Sequence, residues 1–305
     1  MIIKSQNTFM TRFARISVLI LVFPIIAFAQ QAKLKSEIEN ISQQAKGIVG
    51  VGVMDLKTKE TLLINQDHKF PMQSTFKFPL AMAVLDLVDK GKLKLDQKIH
   101  VTQAQLDQET HSPMRDKRPK QDFDITIGEL LSYSVSESDN NACDILFELT
   151  GGTKKVNDYI HSLGVKDIAI VATEKEMKAG WHVQYTNFAR PLAYLQLLDI
   201  VYKGKTLSKS SHDFLWKILI AGPTGLKRIK GLLPEGTIVA HKTGTSGTND
   251  KGVAAATNDL GIIKLKNKRD IAVVVFVSDA TAKIDMRELV IAQIAKAAAD
   301  YYNGR

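Results

Sequence analysis

The chain has 305 residues, 45% of them hydrophobic, enough apolar material for one large domain or two interleaved lobes. Its formal net charge of +9 invites a nucleic-acid partner, but Lys and Arg are scattered, no basic run is interleaved with aromatics, and a solvated surface without nucleic acid is the expectation. A single cysteine, Cys143, excludes an intramolecular disulfide, so stability has to come from a packed core.

Residues 1–29 carry Lys4, Arg12 and Arg15 and no acidic residue, then an apolar stretch from Ile16 to Phe28 that closes on Ala27-Phe28-Ala29. This is the pattern of a secretory signal peptide cleaved before Gln30. The apolar run falls short of the ~20 residues that span a bilayer, so the mature chain, residues 30–305 with a charge of +6, is expected to be secreted to the periplasm without a stable membrane anchor. Leu34, Ile38, Ile41 and Ala45 then keep helical spacing. The β-branched run Ile48 to Asp55 predicts a strand, Lys57 to Glu60 a turn, and Thr61 to Ile64 a second strand. From about Ser74 to Ala221 the sequence reads helical, punctuated by Gly151-Gly152 and Gly164. Strands return at Thr237 to His241, Asp259 to Ile263 and Ile271 to Val277, before a last helix over roughly Lys283 to Tyr302. No repeat, low-complexity segment or Pro/Ser-rich linker divides the chain. The expectation is an α+β fold in one catalytic domain: residues about 30–72 and 222–305 build an antiparallel sheet with flanking terminal helices, and residues about 73–221 form an inserted all-helical lobe. A cleft between the lobes is a favoured place for a ligand.

Three short motifs point into that cleft: Ser74-Thr75-Phe76-Lys77, Ser138-Asp139-Asn140 and Lys242-Thr243-Gly244. Residues three apart share a helix face, so Lys77 can reach the hydroxyl of Ser74. A serine hydroxyl is a weak nucleophile without a neighbouring base, and a lysine acts as one when burial or another cation, such as Lys242, disfavours its charge. Seating Ser74 at a helix start aims the positive helix end and its unpaired N–H groups at a developing oxyanion. Pro79 falls near that start, where a missing N–H costs least.

Together these motifs resemble those of class A serine β-lactamases and penicillin-binding proteins. Over essentially the whole mature length the chain is similar to the class A enzymes, and Ala240 to Gly247 with Val171-Ala172-Thr173-Glu174 resemble their PER and VEB extended-spectrum branch. The resemblance implies the β-lactamase/DD-peptidase fold and these roles. Ser74 attacks the β-lactam carbonyl, with the N–H groups of Ser74 and Thr245 as oxyanion hole. Lys77 and Glu174 are alternative bases for acylation, and Ser138 passes a proton to the leaving nitrogen. Asn140 holds the substrate's side-chain amide; Lys242, Thr243 and Thr245 grip its carboxylate, with Arg228 as supporting guanidinium, and Gly244 and Ser246 complete the substrate-binding set. His111 matches a substrate-stacking position at the cleft edge. Glu174 separates a β-lactamase from a D-Ala-D-Ala peptidase or a penicillin sensor, since a carboxylate near the acyl ester activates the water that frees the serine. Glu176 is its rival.

The family pattern is broken in places. Lys178 stands where many members carry an asparagine that helps hold the hydrolytic water, and Ala172 and Asn187 stand where an Arg–Asp pair usually pins the loop. A rearranged, wider loop that admits bulky oxyimino-cephalosporins is the expectation. The implied substrates are small β-lactams, the implied state a monomer, and neither cofactor nor metal is expected: no H-x-H or H-E-x-x-H spacing occurs among the seven histidines. His68, His100, His161 and His212 read as surface or turn residues, His241 as core or a neighbour tuning Lys242, and Cys143 as a small buried hydrophobe. Trp181 and Trp216 carry no assigned role.

Overall fold

The computed structural model describes residues 29–118 and 120–304. All of the expected signal peptide except Ala29 lies outside the described residues. The chain begins with helix α1 (residues 29–42) and strands β1 (Ile48–Asp55), β2 (Thr61–Ile64) and β3 (Phe70–Pro71). The middle follows as α2 (Lys77–Asp89), β4 (Lys98–Val101), α3 (Pro113–Asp116), β5 (Phe123–Thr126), α4 (Ile127–Ser136), α5 (Asn140–Thr150), α6 (Thr153–Ser162), β6 (Ile168–Ala169), α7 (Glu174–Met177), β7 (Phe188–Ala189), α8 (Pro191–Lys203) and α9 (Lys209–Ile220). Strands β8 (Val239–Thr245), β9 (Ala254–Lys264) and β10 (Asp270–Ala280) and helix α10 (Ile284–Asn303) end it.

Five of these strands form an antiparallel sheet in the order β2-β1-β10-β9-β8. The ladder from Ile48↔Ser278 to Asp55↔Ile271 joins the two ends of the chain and forces the middle out as an insertion. Alternation along each strand divides the apolar residues between two cores. Val49, Val51, Val53, Val273, Val275 and Val277 face back onto Leu34 and Ile38 of α1 and Ile291 and Ile294 of α10. Ala240, Leu260, Ile262, Val274 and Phe276 face forward into a second core with α2, α5 and α8. Each large apolar side chain fully buried there contributes about 1.5–3 kcal/mol. Gly50 lets the front layer close, since a Cβ at that position would lie 2.2 Å from the Phe70 ring. Among the described residues no helix is long and apolar enough to cross a membrane.

Where the sequence reads purely helical, the structure adds short strands: β4 pairs with β5, and β7 joins β3 to β6. Strands of two to four residues such as Lys98-Ile99-His100-Val101 carry too little alternation to be heard above the surrounding helical signal. Strand β8 starts two residues later than expected and runs on through Lys242-Thr243-Gly244-Thr245, so the motif itself is strand.

Candidate active site

Ser74 occupies a 3-10 turn, Gln73–Phe76, that runs directly into α2. The helix is buried on every side from Lys77 to Leu85, which explains a run without amphipathic period, and Pro79, its third residue, leaves it intact. Gln73, just before the serine, is held at φ 48°, a left-handed conformation unusual for a side-chain-bearing residue. Its amide donates to Gln184 Oε1 at 2.6 Å. Tyr194 OH donates to Thr75 Oγ1 at 3.0 Å, and Thr75 in turn bonds the Met72 carbonyl at 2.8 Å. Ser74 therefore sits on a turn fixed from three directions.

Ser138 lies between α4 and α5 at φ 59°, a second strained position. Asp139 holds it there: its carboxylate caps α5 through Ala142 N at 2.8 Å and accepts from Ser112 Oγ and from Met114 N at 2.7 Å. The turn thus presents two groups to opposite partners, its hydroxyl accepting from Lys242 Nζ at 2.9 Å and its carbonyl from Lys77 Nζ at 2.8 Å.

Lys77 is the hub. Its ammonium reaches Ser74 Oγ at 3.0 Å, Asn140 Oδ1 at 2.5 Å and Glu174 Oε1 at 2.8 Å. Glu174 Oε1 also accepts from Ser74 Oγ at 3.3 Å, so serine, lysine and carboxylate form a closed triangle. Glu176, the rival, is used otherwise: with Thr173 it forms the capping box of α7, Thr173 N donating to its Oε2 at 2.8 Å. Asn140 completes the group by donating to Thr110 Oγ1 at 2.8 Å.

Strand β8 closes the other wall. A Cβ on Gly244 would lie 2.5 Å from the Met72 carbonyl, so glycine is what allows this edge strand to press against the turn bearing Ser74. Lys242 is buried, and burial, then the Lys77 cation, hold it well below the ordinary lysine range. Behind the strand, Arg228 donates to the carbonyls of Gly244 and Asn258, to Thr245 Oγ1 at 2.7 Å and to Glu288. Thr243 Oγ1 meets Thr224 Oγ1 at 2.9 Å. A cavity of about 380 Å³ lies between the walls, lined by Ser74, Asn140, Glu174, Thr245, Ser246 and others.

Most residues singled out in the sequence converge here. His111 stands at the rim, exposed, with Nε2 on the Glu137 carbonyl, and is not among the residues lining the cavity. His241 is buried in the rear core layer, where Nδ1 pairs with Asp259 at 2.9 Å. Cys143 is buried, and burial pushes its thiol well up, as suits a packing residue. Without an Arg–Asp pair, the Glu174 loop is pinned by Asn187, whose Oδ1 accepts from Val171 N and Ala172 N while its Nδ2 donates to the Ala172 carbonyl. Sequence reasoning missed three participants. Trp181 lines the cavity. Asp144 receives the N–H groups of Glu174 and Lys175 at 2.8 and 2.9 Å, and burial pushes its carboxyl up to about 6. Asp107 binds the Lys178 ammonium. Asp144 carried one faint signal, its place one helical turn beyond Asn140.

Comparisons with known proteins identify the family. The sequence model of the β-lactamase enzyme family matches residues 33–302. "Beta-lactamase VEB-1" of Pseudomonas aeruginosa is 45% identical over 276 residues, 90% of this chain and 92% of that protein. "Extended-spectrum beta-lactamase PER-1" of the same organism is 47% identical over 270 residues, 88% of this chain and 87% of that one. Among solved structures, the TLA-1 extended-spectrum β-lactamase superposes with a TM-score of 0.88 at 50% identity, covering 90% of this chain and 99% of that one. A β-lactamase from Chitinophaga pinensis gives 0.87 at 51% identity, covering 89% and 100%. The chain thus belongs to the β-lactamase enzyme family, as a class A member of the PER- and VEB-like kind.

Proposed function

We propose that this protein hydrolyses the amide bond of penicillins and cephalosporins, oxyimino-cephalosporins included, through an acyl-enzyme on Ser74, and so confers antibiotic resistance as a monomer in the periplasm. Residues 30–305 act as the one catalytic domain. The observation that carries the reading is the Ser74–Lys77–Glu174 triangle, with Glu174 Oε1 3.3 Å from Ser74 Oγ and 2.8 Å from Lys77 Nζ.

Ser74 Oγ attacks the lactam carbonyl as its single proton passes either to Glu174 Oε1, which accepts from it directly at 3.3 Å, or to Lys77 once that amine has given its own extra proton to Glu174. Along an antiparallel ladder alternate N–H groups bond the neighbouring strand. Ser246 N bonds the Ala256 carbonyl, so the N–H of Thr245 faces away from β9 and, with that of Ser74, receives the oxyanion. When the C–N bond breaks, Ser138 Oγ gives its proton to the nitrogen and is resupplied across its contact with Lys242. Lys242, Thr243, Thr245 and Ser246, with Arg228 behind Thr245, receive the substrate carboxylate, and Asn140 the side-chain amide. Glu174 then takes a proton from a water that attacks the ester, and Ser74 leaves with its hydrogen restored. A D-Ala-D-Ala peptidase or a penicillin sensor would keep the acyl group, and a carboxylate in contact with the nucleophile argues against both.

Intact mass spectrometry of Glu174→Ala during turnover of a cephalosporin tests the assignment. Drug should accumulate on Ser74, with turnover down by about 10²–10⁴-fold. Protein that stays unmodified, or that clears the adduct as fast as the parent, would remove Glu174 from its role.

A further inference from the structure

Lys178 extends from the C-terminal end of α7, one helical turn beyond Glu174, and lines the cavity beside Met177 and Trp181. Its ammonium crosses to the carboxylate of Asp107, on the loop that carries Thr110. That loop is firmly held. Asp107 N donates to Asn141 Oδ1 at 2.8 Å, Asn141 Nδ2 returns to the Asp107 carbonyl, and Arg115 donates to the carbonyls of Asp107 and Thr110. Asp107 Oδ1 accepts from Glu109 N at 2.9 Å, so Oδ2 is aimed at the lysine by a fixed turn. The Lys178 contact heads the causes that hold Asp107 below the usual carboxylate range. The two side chains are 42% and 28% exposed, which places the pair at the mouth and makes its worth to stability small.

We propose that the Lys178–Asp107 pair is a specificity-determining latch: it spans the end of the cleft where the substrate's acyl side chain emerges past Asn140 and keeps that end electrically neutral. The inference rests on the β-lactamase reading above. Lys242 takes the carboxylate common to all these substrates at the opposite wall, so a side chain passing Lys178 meets an ammonium already satisfied by Asp107. Side chains are then sorted there by shape, and a second carboxylate on the acyl arm gains nothing. Removing the negative partner frees a cation within reach of such an arm; removing the lysine leaves an unpaired carboxylate that repels it.

The test compares two cephalosporins that differ in whether the oxyimino arm ends in a methyl group or a carboxylate, with benzylpenicillin beside them. In Asp107→Asn, which keeps the acceptor for Glu109 N, the ratio of kcat/KM for the carboxylate-bearing compound over the methyl one should rise about threefold to tenfold, mostly through KM. The gain should fade as salt is raised from about 0.05 to 0.5 M. Lys178→Met should move the same ratio the other way. A ratio within about twofold of the parent in both variants overturns the latch. So does an equal loss on all three substrates, which would mean the pair only supports the loop. Wild-type protein unable to open benzylpenicillin would instead sink the parent reading, so the two failures are distinguishable.

Discussion

The two faces of β8 treat charge in opposite ways. On the front, Lys242 is buried and its bonds go to neutral oxygens, Ser138 Oγ and the Thr243 carbonyl, both at 2.9 Å. On the back, one residue away, His241 meets the carboxylate of Asp259, and Arg228 meets Glu288 at 3.0 Å. Asp259 Oδ2 also accepts from Ile229 N at 3.1 Å, tying the segment that bears Arg228 to the sheet. Alternation along a strand makes this division possible, since neighbours in sequence inhabit different environments. The back face is scaffold, pairing Arg228 with Glu288 and His241 with Asp259, whereas Lys242 on the front is left with neutral oxygens, as the proposed carboxylate-binding wall requires.

The sharpest way to break the comparison is Lys242→Met. It should lower kcat/KM for penicillins by about a hundredfold or more yet raise the melting temperature, because an apolar side chain of similar volume replaces a buried cation with no carboxylate of its own. Calorimetry beside steady-state kinetics checks both halves, and a loss of stability would mean the front face is scaffold after all. Asp259→Ala should do the reverse, costing about 3 kcal/mol by stranding the His241 ring and the Ile229 N–H. The kcat/KM of the folded fraction should change little; urea titration with activity assays separates the two.

Asp144 gives the smallest effect and a directional one. Its carboxyl is raised in the folded protein to about 6, so its contribution to stability is fully present below about pH 4 and is lost as pH rises through 6. Asp144→Asn should therefore gain on the parent across that window, by about 1–2 kcal/mol net of the acceptor lost to one of the two N–H groups. Melting curves from pH 4 to 7 read the difference, and parallel curves would contradict it.

Local pattern made some of this readable from sequence and left the rest hidden. The strands at Ile48 and Thr61 declared themselves through β-branched residues, and the final helix through its period. The three motifs declared themselves by type and spacing, and the fold brings their side chains into contact. Strand β9, by contrast, begins at Ala254, five residues before the expected start, because Ala254, Ala255, Ala256 and Asn258 have weak strand preference and the segment is held by pairing with β8 and β10. Asp144 acts on a residue 30 positions away and Asp107 on one 71 away, and separations of that kind leave no local trace. The loop around Glu174 was expected to lose its pin along with the missing ion pair. Asn187 supplies one by another chemistry.

That substitution sets how the loop responds to its surroundings. Three amide bonds to main chain carry no net charge, so they have neither a titration midpoint nor a screening length. A brine or a mild acid that would loosen a guanidinium–carboxylate clasp leaves this tether unchanged, so at the Asn187 end the loop is held the same way whatever the ionic weather, while its Asp144 and Lys178 contacts are the ones that respond to it.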